Sequence, residues 1–184
     1  MGKYIALLRG VNVGGKNSLS MAALRSAFEA GGFSEVSSYI NSGNILFSSD
    51  ETDAQALQHR CVQLITDTFH LDIAVAVIGA DALKDALNHA PEWWDADGAS
   101  KHNAIFVIAP AAAEAVVREV GETEPELEHV AHHGQVIFWS APIQAFSRTR
   151  WGKVSSMAVY GHITVRNANT AKKLLLLSNT NFNH

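Results

Sequence analysis

The order of the patterned segments constrains this chain most. An apolar run at 3–8, KYIALL, has the character of a buried strand. The segment MAALRSAFEA follows, with Met21, Leu24 and Phe28 at helical spacing, Ser20 placed to cap it and Gly31-Gly32 ending it. Two strand-like segments, VSSYI and NILFSS, are joined by Asn41-Ser42-Gly43, a hairpin turn with glycine where a positive φ is needed. Thr52 and Gln55 suit a capping box for a second helix carrying Leu57, Cys61, Leu64, Ile65 and Phe69, and IAVAVI at 73–78 is a fourth strand. The order βαββαβ is the split-βαβ, or ferredoxin-like, arrangement.

The remaining sequence repeats this order. ADALKDALNHA predicts a connecting helix, NAIFVIA (103–109) a strand and AAAEAVVREV a helix. LEHVAHHGQVIFWS predicts a second hairpin and HITVR a last strand, while 142–160 reads as partly helical. NTAKKLLLL is a terminal helix started by Asn169. SGNILFSS (42–49) aligns with HGQVIFWS (133–140), each a turn, a glycine and a strand with Phe in the same place, which hints at duplication. The expected fold is therefore α+β with two ferredoxin-like halves: 1–79, and 80–184 with a connecting and a terminal helix.

This topology bears on one loop. In βαββαβ the first two strands run the same way, so the loop leaving the first and the turn leaving the second share one end of the sheet. That places RGVNVGGKN (9–17) beside INSGN (40–44). The edge would offer Arg9, Asn12, Gly14, Gly15, Lys16 and Asn17 together with Asn41, Ser42, Gly43 and Asn44. Glycine permits close backbone approach, and clustered amides make an anion nest. Gly10, Gly15 and Lys16 have P-loop spacing, but Asn17 stands where the magnesium-binding hydroxyl belongs, and the best helix start is Ser20. The segment thus reads as an anion-binding loop rather than a nucleotide-hydrolysing one.

Charge points to a second surface. Net charge is −4, which argues against indiscriminate nucleic-acid binding. Residues 81–128 carry 11 acids and three bases, whereas 129–184 carry six bases and no acid. That acid-free third holds Arg148, Arg150, Lys153, Arg166, Lys172 and Lys173. Ser147, Arg148, Lys153, Arg166, Asn167 and Asn169 are secondary anion candidates, the last at a helix start. The alternative is that these bases pair with the acidic middle or that Asn169 only caps its helix.

Other chemistry is weakly signalled. His129, His132 and His133 lack the spacing of zinc helices or Cys/His sites and read as an exposed hairpin, so no metal and no cofactor are expected. Cys61, the only cysteine, lies on an apolar stripe and reads as a buried thiol. The RNP1 pattern of an RNA-binding ferredoxin-like domain is missing, and Trp93 and Trp94 fit a plug at the junction between the halves better than the lining of a pocket. No apolar run approaches a membrane span and the N-terminus resembles no signal peptide, so the expected location is cytoplasmic.

YIALLRGVNVGGKNSLSMAALR and YINSGNILFSS resemble the ALLRGINVGGKN, MAELR and YIQSGNVVF segments of a bacterial family of unknown function. YGHITVRNANTAKKLL resembles its TTRNWNTVTKL signature, with Ala168 where that family usually has Trp, and SRTRW resembles its Ser-Arg segment. The resemblance implies a duplicated ferredoxin-like fold and no particular activity. The residues themselves favour binding of a small anionic, phosphate-bearing ligand at the two Gly/Asn-rich loops, with no reaction assigned. One alternative is a protein or nucleic-acid interaction module on the acid-free third. Another is that both loops serve only as structural contacts between the halves.

Overall fold

The computed structural model describes residues 1–180. The described residues divide into two compact units: 1–81 with 174–180, and 82–173. No helix among the described residues is long and apolar enough to cross a membrane.

The first unit contains β1 (Gly2–Leu8), α1 (Met21–Ala30), β2 (Ser34–Tyr39), β3 (Asn44–Ser49), α2 (Ala54–Phe69) and β4 (Val75–Gly79). Its four-stranded sheet runs β2-β3-β1-β4, with every neighbouring pair antiparallel, as the ferredoxin-like order requires. Strand alternation divides the side chains between the two faces. Tyr4, Ala6, Leu8, Ile45, Phe47, Val75 and Val77 meet Leu24 and Phe28 of α1 and Leu57, Cys61 and Ile65 of α2. The alternate set, Ile5, Leu7, Leu46, Ala76 and Ile78, is buried as well, which explains why β1 reads as a continuous apolar run. Ser20 caps α1, its hydroxyl accepting from the Ala23 amide at 3.3 Å. The cap of α2 is Asp53, whose carboxylate accepts from the Gln55 amide at 2.9 Å, rather than the expected Thr52. A carboxylate beside the helix N-terminus gains from the helix dipole where a hydroxyl does not.

The second unit repeats the sheet with a different cover. It contains most of α3 (Ala80–Asn88), then β5 (Ser100–Val107), α4 (Ala113–Val120), β6 (His129–His133), β7 (Val136–Pro142) and β8 (Ile163–Asn167). The strand order is β6-β7-β5-β8, again antiparallel throughout. Between β7 and β8, where the first unit has α2, the chain makes three 3-10 turns at Phe146–Arg148, Trp151–Ser156 and Ala158–His162. Pro142, Gly152 and Gly161 interrupt this stretch, so no helical period can develop. Trp151, Val154 and Val159 nevertheless reach the same core as Val116 and Val120 of α4. Gly152 is needed for a close approach, because a Cβ there would lie 2.0 Å from the Phe146 carbonyl oxygen.

The last helix, α5 (Ala168–Asn179), begins earlier than expected. Its cap is Asn167, whose side-chain oxygen accepts from the Thr170 amide at 2.8 Å, so Asn169 is already inside the helix. Trp94 packs edge-on to Phe138 at 5.1 Å within the second unit, and its indole N–H donates to the Asn103 carbonyl. Cys61 is fully buried, and burial pushes its thiol up to about 12, so it is no nucleophile.

Candidate functional site

The loop that leaves β1 is a small hairpin. The Lys16 amide donates to the Val13 carbonyl at 3.1 Å, and the Asn12 amide to the Asn17 carbonyl at 3.2 Å. Gly14 and Gly15, at φ 58° and 73°, supply the two left-handed positions of a primed two-residue turn. Asn12 and Asn17 also sit at positive φ, which asparagine tolerates better than most residues. The glycine spacing thus serves a turn and not a phosphate cradle at a helix start, since α1 begins only at Met21.

This hairpin meets the β2–β3 turn, as the topology predicts. The Asn12 carboxamide oxygen accepts from the Leu19 amide at 2.8 Å. Its nitrogen donates to the carbonyls of Leu19 (2.8 Å) and Asn41 (2.9 Å) and to the Asn41 side-chain oxygen (3.2 Å). One side chain therefore joins the hairpin, the lead-in to α1 and the turn. Asn17 donates to the Gly10 carbonyl at 3.2 Å. Asn44, fully buried, donates to the Tyr39 carbonyl and the Ser42 hydroxyl. The Gly43 carbonyl accepts from the Leu8 amide at 2.9 Å, and a Cβ on Gly43 would stand 2.8 Å from that of Leu8.

The ten expected residues are accordingly brought to one edge, but in two roles. Asn12, Asn17, Gly43 and Asn44 are occupied in holding the loops. Arg9 is half-buried, while Gly14, Gly15 and Lys16 are exposed at the tip. Among the described residues Lys16 pairs with no carboxylate, and the Gly14 and Gly15 amides meet no acceptor. Two apolar side chains flank the tip: Val13 is 62 % exposed, and Ile40, 50 % exposed, is held at φ 49°.

The secondary candidates do not assemble. Arg148 and Lys153 line a cleft of about 250 Å³ together with Glu122, Glu124 and Glu128. Asn167 and Asn169 line a different cleft of about 580 Å³, with Asp95, Asp97 and Lys101. Arg166 is buried and donates to the Thr164 hydroxyl and the Val165 carbonyl; burial draws its guanidinium down to about 10. Lys172 pairs with Asp95, and Arg150 donates to the Val120 carbonyl at 2.6 Å. Ser147 is exposed. In both clefts, carboxylates from the acidic stretch thus stand beside residues of the acid-free third.

Two buried polar groups escaped sequence reading, because their partners are remote in the chain. Glu128 accepts from the Trp139 indole and from the amides of Arg150 and Trp151, so one carboxylate fastens β7 to the 3-10 segment. His102 lies between the Ser140 hydroxyl (2.6 Å) and the Asp97 carbonyl oxygen (2.9 Å), with the Asp97 carboxylate 3.8 Å away. The set contains the residue types of a nucleophilic triad. Ser140, however, is only 3 % exposed, which bars attack on a substrate, and the geometry is that of a strand-to-loop fastening. The expected exposed histidine hairpin is also richer than its own sequence: His129 packs on Trp93, and His133 lies beside Asp85 and His89.

A family model described as a protein of unknown function (DUF1697) matches residues 1–138. Among solved structures, a conserved bacterial protein from Streptococcus pneumoniae is similar at 30% identity and a TM-score of 0.85, over 96% of this chain and 98% of that one. No curated protein matches.

Proposed function

The chain belongs to the DUF1697 family, whose function is unknown, and we propose that it binds an anionic, phosphate-bearing group at the tip of the 12–17 hairpin. The observation that supports this reading is the presence on one exposed turn of Lys16, which pairs with no carboxylate among the described residues, and of the Gly14 and Gly15 amides, which meet no acceptor there. A cation and free amides on one turn suit a phosphate oxygen, and Arg9 stands at the base of the same loop. No reaction is assigned.

The test is a thermal-shift and calorimetric comparison of inorganic phosphate, sugar phosphates, nucleotides and simple carboxylates. Phosphorylated compounds should stabilise the protein, and Arg9→Ala with Lys16→Ala should abolish the shift. A shift unaffected by the double substitution overturns the placement. The Asn12 network favours a second reading, in which the two loops serve the structure of the first unit alone. On that reading no compound shifts the wild-type melting temperature and Lys16→Ala changes only stability.

A further inference from the structure

We propose that Asp85, His89 and His133 form a surface site for a divalent first-row transition-metal ion. Asp85 and His89 are four residues apart on α3 and its end, and so share one face. Leu83 and Ala86, buried on the other side, hold that face outward. The His89 amide still bonds the Asp85 and Ala86 carbonyls, so its backbone continues the helix. His133 comes from the end of β6, just before the turn at Gly134.

The three side chains converge without being consumed by the core. An Asp85 carboxylate oxygen lies 2.8 Å from His133 Nε2, and the other lies 3.5 Å from His89 Nδ1. The imidazole rings stack at 4.0 Å with 1° between their planes, and one ligand atom from each of the three residues lies within 4.8 Å of the others. Donors bound at about 2.0–2.2 Å to a common ion sit about 3–3.5 Å apart. The carboxylate reaches the two imidazoles through different oxygens: the 3.5 Å separation lies in this range, the 2.8 Å one must open slightly, and the rest, none above 4.8 Å, close by about 1.5 Å. Parallel rings do not aim their lone pairs at one point, so one ring must turn. His89, beyond the last helical residue and exposed, can do so by giving up the 2.8 Å contact of its Nδ1 with the Asp85 carbonyl oxygen.

The donor set selects the ion. Two imidazole nitrogens and one carboxylate oxygen suit zinc, nickel, copper or iron better than calcium or magnesium, which prefer all-oxygen shells. All three side chains remain more than a third exposed, so water completes the shell and the ion exchanges with solvent. A plain Asp85–His133 ion pair would explain the shortest distance. It would leave His89 only the 2.8 Å contact of its Nδ1 with the Asp85 carbonyl oxygen, and this difference makes the site testable.

The experiment is calorimetric titration of the tag-free full chain with zinc chloride in a non-coordinating buffer, with Co²⁺ absorption as a second readout. One equivalent of zinc should bind, and Co²⁺ should give a ligand-field band. Affinity should fall more than about tenfold in His89→Ala and in Asp85→Asn, since even outer partners of a metal ligand are worth that much. His132→Ala, on the same hairpin but the opposite strand face, should bind as wild type. Circular dichroism confirms that the variants fold. Absence of zinc binding, or binding that survives His89→Ala, overturns the proposal.

Discussion

The two units place the same sheet under different covers, and their comparison isolates what is particular to the first. In both, the end of the first strand is held by the neighbouring hairpin turn: the Leu8 amide donates to the Gly43 carbonyl, and the Val107 amide to the Gln135 carbonyl. In both, the next amide reaches the chain that leads into the fourth strand, Arg9 to Ala74 and Ile108 to His162. Beyond that point they diverge. The second unit goes directly through 108–112 to α4, whereas the first makes the 12–17 hairpin before α1 begins at Met21. The second unit closes its frame without such a hairpin, so the hairpin is an addition to the shared frame. Such additions to a shared frame are where binding residues concentrate.

The largest expected effects test whether the two covers are equivalent. Phe28→Ala removes the fully buried aromatic beneath α1, and Trp151→Ala the one beneath the 3-10 turns. Each should cost about 3–5 kcal/mol, the usual range for a buried aromatic. Urea unfolding of both variants measures this. If Trp151→Ala costs far less than Phe28→Ala, the 3-10 segment is a loose cover and the equivalence fails.

A smaller contrast concerns how the turns are held. Asn12→Ala removes the carboxamide that bonds Leu19 and Asn41 and leaves alanine at φ 56°. Part-buried Leu19 partners left unsatisfied and a left-handed alanine together should cost about 2–3 kcal/mol. Gln135→Ala, which loses a side-chain bond to the Val107 carbonyl at 2.7 Å, should cost about 1 kcal/mol. Equal losses in thermal melts would mean that the hairpin adds no fastening of its own.

Legibility in the sequence followed the range of the interactions. The apolar runs of β1, β3 and β7 and the periods of α1 and α2 are local, and with the order of the elements they account for both sheets and the meeting of the two loops. Caps were read one or two residues off, at Asp53 and Asn167, because several oxygen-bearing side chains stand side by side and only backbone geometry selects among them. The backbone of the 9–17 loop is ambiguous in sequence for a related reason: Gly14-Gly15 before Lys16 fits either a phosphate cradle at a helix start or a primed turn, and the structure makes the turn, with asparagines at positive φ on both sides. Glu128, His102 and the Asp85–His89–His133 group depend on partners far along the chain, and no local pattern announces them. The segment 142–160 has no period to read, because Pro142, Gly152 and Gly161 divide it.

The smallest expected effect concerns the left-handed residue beside the hairpin. Ile40 is β-branched, at φ 49° and half exposed, a combination with an intrinsic cost of about 1–2 kcal/mol and little burial to offset it. Asparagine tolerates this backbone, so Ile40→Asn should raise stability by about 0.5–1 kcal/mol, measured by urea unfolding. The second unit has Gly134 at φ 55° in its corresponding turn, where no such strain arises. A sequence shaped for stability alone would have an asparagine or glycine at 40 too. If the variant is stabilised yet loses the thermal response to phosphorylated compounds, the strained isoleucine belongs to the same recognition edge as Lys16. If it is destabilised, the exposed side chain has a packing role, and the first-unit turn is less strained than its φ implies.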